Sequence, residues 1–243
     1  MTAQIVLSNL AVERGGSLVV RGAALQIERG SWFGLIGANG SGKTSLLRAL
    51  SGRLPIAAGS CQLNDEDVTC DRARRASLVG FAPPTESLPQ ALRVRDVLAL
   101  VGGSLDQALA SIGDLRLALG LDAMIGRWIG DCSAGMRQRI AVAVAFSGGQ
   151  QIVVLDEPFN WLDPVVAFDV KQVLREMTNG GLTLVTALHD IATLTHECEA
   201  GAMMAEGRIA IDLGSEELRR AAGNLPEFER RMIDALRSSS EHS

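Results

Sequence analysis

The chain has no tyrosine at all, and aromatic residues make up 4% of its 243 residues. A core of stacked rings is excluded. With hydrophobic residues at 47%, the core has to be assembled from Leu, Val, Ile and Ala. Positive charge is also in short supply. A net charge of −5 argues against a general nucleic-acid binder, because affinity for a phosphate backbone needs a basic surface. No apolar run approaches the roughly 18 residues of a membrane span. Met1-Thr2-Ala3-Gln4 lacks the charged start and long apolar segment of a signal peptide. Cysteine is sparse: Cys61, Cys70, Cys132 and Cys198 form no C-x-x-C pair of the metal-binding kind and read as reduced thiols of a cytosolic protein. The length suits one large or two small domains.

What the chain does have is Gly37-Ala38-Asn39-Gly40-Ser41-Gly42-Lys43-Thr44, a glycine, four residues, then Gly-Lys-Thr. The apolar Trp32 to Ile36 precedes it as a buried strand. Thr44 to Arg53 follows as a helix, with Leu46, Leu47, Leu50 and Leu54 at helical spacing and Gly52 near its end. A strand, a glycine loop and a helix are the context in which this pattern binds phosphate. Glycines let the backbone wrap an anion, so that its N–H groups form a nest, and the helix N-terminus adds partial positive charge. Lys43 suits the β- and γ-phosphates and Thr44 suits Mg²⁺.

Along the chain, Ile5 to Leu7 and Leu18 to Val20 read as short strands joined by the turn Arg14-Gly15-Gly16, and Ala24 to Glu28 as a third strand. Together they predict an antiparallel β part ahead of the loop. Ala57 to Val68 suggests a further hairpin. The basic Arg72-Ala73-Arg74-Arg75 reads as a solvated helix end. Val79 to Ala82 is a strand stopped by Pro83-Pro84. From Val94 to about Trp128, Val97, Leu98, Val101, Leu105, Leu109, Ile112, Leu115 and Leu119 recur at helical steps, which predicts a helical insertion in an α/β core. Ser133 is an N-cap candidate for a helix reaching Phe146. Gln151 to Leu155 and Leu182 to Leu188 are buried strands, with a helix from Pro164 to Met177 between them. Ala202 to Ile211 reads as a closing hairpin, Ser215 to Arg220 and Glu227 to Arg237 as helices, and residues 238–243 as a disordered tail.

Two further positions carry chemistry. Asp156 and Glu157 end a buried strand, at the edge where open parallel sheets bind ligands. Asp156 suits a Mg²⁺ ligand and Glu157 the group that polarises an attacking water. A solvated strand end is the alternative, and the phosphate loop upstream favours the catalytic reading. His189 also follows a strand, where an imidazole either reaches a phosphate oxygen or caps the surface.

On these motifs the chain, from about Ile5 to about Glu217, resembles the ATP-binding subunit of an ABC transporter. The Walker A loop is Gly37 to Thr44. The signature segment is Cys132-Ser133-Ala134-Gly135-Met136, followed by Arg137-Gln138-Arg139. The Walker B strand ends in Asp156-Glu157-Pro158, the D-loop matches Asn160-Trp161-Leu162-Asp163, and His189 is the switch histidine. A weaker likeness points to exporters, including those of haem-exporter type. The resemblance implies a P-loop NTPase fold: a mostly parallel core sheet, an N-terminal antiparallel β subdomain and a helical insertion. It implies one domain over residues 1–237, with core and β part at 1–83 and 150–214, the helical part at 84–149 and C-terminal helices at 215–237. Nucleotide contacts fall on Gly37, Asn39, Gly40, Ser41, Gly42, Lys43, Thr44 and Ser45, on Arg14, and on Ser133 and Gly135 of a second chain. Thr44 and Asp156 are implied as the Mg²⁺ ligands, and Lys43, Glu157 and His189 as the catalytic groups.

The implied activity is ATP hydrolysis powering transport through separate transmembrane permease subunits. The chain would sit at the inner face of the cell membrane and pair with a second ATPase subunit, alike or different, and would bind no nucleic acid. Departures from the family pattern also stand out. Arg14 replaces the aromatic residue that stacks on adenine, and a guanidinium plane can still stack. Pro84 replaces the Q-loop glutamine, Cys132, Ala134 and Met136 replace Leu, Gly and Gln, and Trp161 replaces a small residue. These motivate a rival expectation, an ATP-binding switch with little hydrolysis, which the intact Glu157 and His189 oppose. A soluble ABC factor of translation or DNA repair is disfavoured by the lack of a tandem domain or a long coiled coil.

Overall fold

The computed structural model describes residues 3–240. The chain begins with two long strands, β1 (Ala3–Arg14) and β2 (Ser17–Glu28), then β3 (Trp32–Gly37) and α1 (Lys43–Leu50). β4 (Ala58–Leu63), β5 (Glu66–Asp67), α2 (Arg72–Leu78) and β6 (Val79–Phe81) follow. Next come the helices α3 (Val94–Gly102), α4 (Leu105–Ile112), α5 (Leu115–Ala118) and α6 (Ala134–Phe146). The last part alternates as β7 (Ile152–Asp156), α7 (Pro164–Asn179), β8 (Thr183–Leu188) and α8 (Ile191–Glu197), then β9 (Ala200–Ala205), β10 (Arg208–Leu213), α9 (Ser215–Gly223) and α10 (Leu225–Ser240).

The strands form two sheets. An antiparallel one runs in the order β2-β1-β4-β5, and a six-stranded one in the order β10-β9-β3-β8-β7-β6. In the second sheet β9, β3, β8, β7 and β6 are mutually parallel, and β10 turns back against β9. This is the expected α/β class with a mostly parallel core. Parallel strands are covered on both faces, so they read as unbroken apolar runs. Residues 183–188 are all buried, as are Ile152–Leu155.

Helix α1 lies between the two sheets. Leu46, Leu47 and Leu50 share a core with Ile5, Leu10 and Val12 of β1 and with Phe33 and Leu35 of β3. Each such side chain is worth about 1.5–3 kcal/mol when fully buried. The glycine loop is therefore anchored at both ends by packing. The opposite face of the core sheet carries a second cluster. There α6 is buried from Ile140 to Phe146 and packs with Leu98, Ile112 and Leu115 of the helical part and with Leu155 and Leu184 of the sheet. A helix apolar all round is a central helix. A polar chain also joins the sheets: Gly30 N donates to Thr183 Oγ1 at 2.8 Å, Thr183 Oγ1 donates to Gln4 Oε1, and Gln4 Nε2 donates to Asn64 Oδ1 at 2.8 Å.

Several expectations need correction. The short strands expected at 18–20 and 24–28 are one strand, β2. A register shift between the pairs Leu10–Ala23 and Val12–Val20, with Gly22 at φ 72°, absorbs the break in pattern as a bulge rather than a turn. The long helical stretch breaks into α3, α4 and α5 at Gly103, Gly113 and Gly120, all with positive φ. Arg75 is not solvated. It is fully buried, and its guanidinium donates to the carbonyls of Ala49, Val68 and Thr69, satisfying the end of α1 and the loop after β5. The tail expected to be disordered from residue 238 continues α10 as far as Ser240, because no Pro or Gly interrupts it. Residues 241–243 lie outside the described residues.

Candidate functional site

The parallel registers decide where the chemistry sits. Ile36 pairs with Leu188, and Asp156 with Ala187. The C-terminal ends of β3, β7 and β8 therefore meet at one edge, which brings the glycine loop, Asp156-Glu157 and His189 together. In the loop, a Cβ on Gly37 would lie 2.3 Å from the Met204 carbonyl oxygen. Gly42 caps α1 at φ 105°, a conformation side chains rarely adopt. Lys43 is buried and arches back over the loop, with Nζ donating to the carbonyls of Gly37 at 2.7 Å and Ala38 at 3.1 Å. Burial pulls its ammonium below the usual lysine value, and the nearby Glu157 and Asp156 carboxylates act the other way.

A cleft of about 350 Å³ is lined by Asn39 to Ser45, with Glu157, Arg14 and Val19. A second cleft, of about 280 Å³, adjoins it and brings Thr44, Asp156 and Glu157 together with Pro84, Gln138, Asn160 and Trp161. Burial raises the Asp156 carboxyl above the ordinary range, and a hydrogen bond from the Thr44 hydroxyl partly offsets this. Asp156 Oδ1 and Ser41 Oγ are buried, and neither has a hydrogen-bond partner among the described residues. An orphaned carboxylate oxygen beside a hydroxyl is a hard oxygen pair of the kind Mg²⁺ takes. No cluster of three or more His, Cys, Asp or Glu residues among the described residues could cage an ion.

Glu157 sits at φ 53°, an uncommon place for a side-chain-bearing residue. Its surroundings hold it there. Its N–H donates to Ala187 O at 3.2 Å, while Gln138 Nε2 reaches Glu157 O at 3.4 Å and Pro158 O at 3.1 Å. The carboxylate then meets two donors: Asn160 Nδ2 lies 2.9 Å from Oε2, and His189 Nε2 lies 2.5 Å from the same oxygen. Neither Gln138 nor Asn160 was assigned a role from sequence. A signal existed for Gln138, which stands one turn into a helix whose residues Ile140 to Phe146 are all apolar. None existed for Asn160, whose contact depends on the φ of Glu157.

Ser133 caps α6 and Gly135 lies in its first turn, and neither lines either cleft. The Ser133 hydroxyl accepts the Met136 N–H at 3.2 Å, the N-cap expected of it. A Cβ on Gly135 would stand 2.8 Å from the Trp161 carbonyl oxygen, so the signature and the D-loop touch. Arg139 reinforces this by donating to Asp163 Oδ2 at 2.8 Å. Trp161 is 77% exposed, and Pro84 stands in the connection between β6 and α3.

A phosphate loop, a half-buried aspartate and an oriented glutamate on one sheet edge define a nucleoside triphosphate hydrolase of the phosphate-loop class. The family model described as ABC transporter matches residues 20–160, more than half of the chain. The aliphatic sulfonates import ATP-binding protein SsuB 1 of Rhizobium johnstonii is 32% identical over 96% of this chain and 86% of its own. The lipopolysaccharide export system ATP-binding protein LptB of Escherichia coli is 27% identical over 85% and 89%, and the lantibiotic transport ATP-binding protein SrtF of Streptococcus pyogenes 25% over 93% and 98%. Among solved structures, an ATP-binding subunit of an ABC transporter superposes with a TM-score of 0.83 at 21% identity, covering 96% of this chain and all of its own. A dimeric ATP-binding cassette bound to ADP and Pi gives 0.77 at 18%, covering 87% and 98%. The chain belongs to the ABC transporter family. It is one of its ATP-binding subunits, an ATPase that works with transmembrane components. No helix among the described residues is long and apolar enough to cross a membrane.

Proposed function

We propose that this chain hydrolyses Mg²⁺-bound ATP to power export through a separate permease, docked at the inner face of the membrane. The observation that carries hydrolysis is the Glu157 carboxylate, held by His189 and Asn160 at the edge of the phosphate-loop cleft. For the direction, the relative in a lipopolysaccharide export system supports export, and the sulfonate import relative speaks for the reverse.

The roles follow from position. Loop N–H groups and the start of α1 hold the phosphates. Lys43 turns from the loop carbonyls to the β- and γ-phosphates. Thr44 and Asp156 would hold Mg²⁺, which would supply charge neutralisation on the phosphates. Glu157 orients and polarises the water whose oxygen bonds to the γ-phosphorus as the bridging P–O bond breaks, giving ADP and phosphate. His189 lines neither cleft and acts by fixing the Glu157 carboxylate.

Ser133 and Gly135 line neither cleft of their own chain. They are proposed to complete the site of a second subunit, alike or different. The dimeric cassette with ADP and Pi supports that arrangement. Steady-state hydrolysis of Mg²⁺-ATP by the purified chain and by Lys43→Ala tests the proposal. Loss of turnover in the variant is expected, and undiminished turnover overturns the site.

A further inference from the structure

The nucleotide cleft has two ends. Lys43, Thr44 and Glu157 mark the phosphate end, and Arg14 and Val19 of the β1–β2 hairpin mark the other. The hairpin is pinned in place. The Val19 carbonyl oxygen would lie 2.7 Å from a Cβ on Gly42, and Arg21 N donates to Gly207 O at 2.7 Å. A nucleotide with its phosphates in the loop therefore presents its base towards Arg14. The Arg14 side chain is exposed and has no hydrogen-bond or ion-pair partner among the described residues.

No aromatic ring lines this cleft. The side chains at its base end are one guanidinium and one isopropyl group, so neither offers an acceptor. A guanidinium is a rigid fork of donors. Guanine shows two adjacent acceptors, O6 and N7, on the edge such a fork grips, whereas adenine shows one acceptor beside an amino donor. Stacking alone does not choose, because every base has a π-face. We propose that the cleft binds guanine nucleotides at least as well as adenine nucleotides, with Arg14 as the residue that reads the base. This rests on the phosphate-loop site holding a nucleotide.

Calorimetry of the full chain with Mg²⁺-ADP and Mg²⁺-GDP, beside the Arg14→Tyr variant, tests it. Tyrosine keeps a stacking surface and removes the fork. In the parent chain GDP is expected to bind as tightly as ADP or more tightly. In Arg14→Tyr, GDP affinity should fall about ten-fold while ADP affinity holds within about three-fold. GDP binding weaker than ADP in the parent, or a variant that shifts both alike, overturns the inference and leaves the nucleotide site standing. Failure of both nucleotides to bind removes the site itself and the inference with it.

Discussion

His189 Nε2 stands 2.5 Å from Glu157 Oε2, and this contact ties the end of β8 to the end of β7 at the edge of the phosphate-loop cleft. The two residues follow adjacent strands whose register is fixed by buried side chains. Their approach is therefore set by the core, not by loop flexibility. Asn160 adds a second donor to the same oxygen, so the carboxylate is aimed from two sides. A solvated strand end would need neither.

Asp156→Asn should make the nucleotide-free chain more stable at neutral pH while weakening the Mg²⁺ dependence of ATP binding. Burial raises the folded-state carboxyl above 3.8, so the fold favours the protonated form. The stability from this group is present below pH 3.8 and is lost as pH rises through the folded value. Asparagine removes that loss. Thermal melts without divalent ions should show a rise in Tm at pH 7 that shrinks towards pH 4. A fall at pH 7 would contradict the account.

Arg75→Ala should be severe although the residue is far from the nucleotide. Arg75 is fully buried and donates to four backbone carbonyls, those of Ala49, Leu54, Val68 and Thr69. Leaving them unpaired costs about 1–3 kcal/mol each, so roughly 3 kcal/mol or more is expected. For a chain of this size that is a Tm drop on the order of 10 °C, readable by calorimetry. A drop of only a degree or two would mean that water replaces the guanidinium.

Pro84 has neither amide nor side-chain carbonyl, yet it stands beside Thr44, Asp156 and Glu157 in the second cleft. A water can fill a Mg²⁺ ligand position, so basal hydrolysis should persist with weak stimulation by the permease. Pro84→Gln should raise stimulation by the reconstituted membrane partner and leave basal turnover little changed. Strong stimulation in the parent chain, unaltered by the substitution, would place coupling elsewhere.

Much of this was legible in the sequence because it is local. The glycine loop, the apolar runs of β7 and β8 and the cap at Ser133 are read from neighbours in the chain. The long-range features were hidden. Arg75 looks like any surface arginine until the turn after β5 folds over it. The Asn160–Glu157 bond requires Glu157 at φ 53°, which no residue pattern announces. The continuity of β2 was missed because a bulge and a turn have similar composition.

The most direct test of the central claim is the steady-state rate of Mg²⁺-ATP hydrolysis by the parent chain beside Glu157→Gln. The substitution keeps the shape and removes the charge that polarises water. The account predicts measurable turnover in the parent and a fall of about 10²-fold or more in the variant, with ATP still bound. Equal rates in the two proteins, or a parent that binds ATP and does not hydrolyse it, would contradict it.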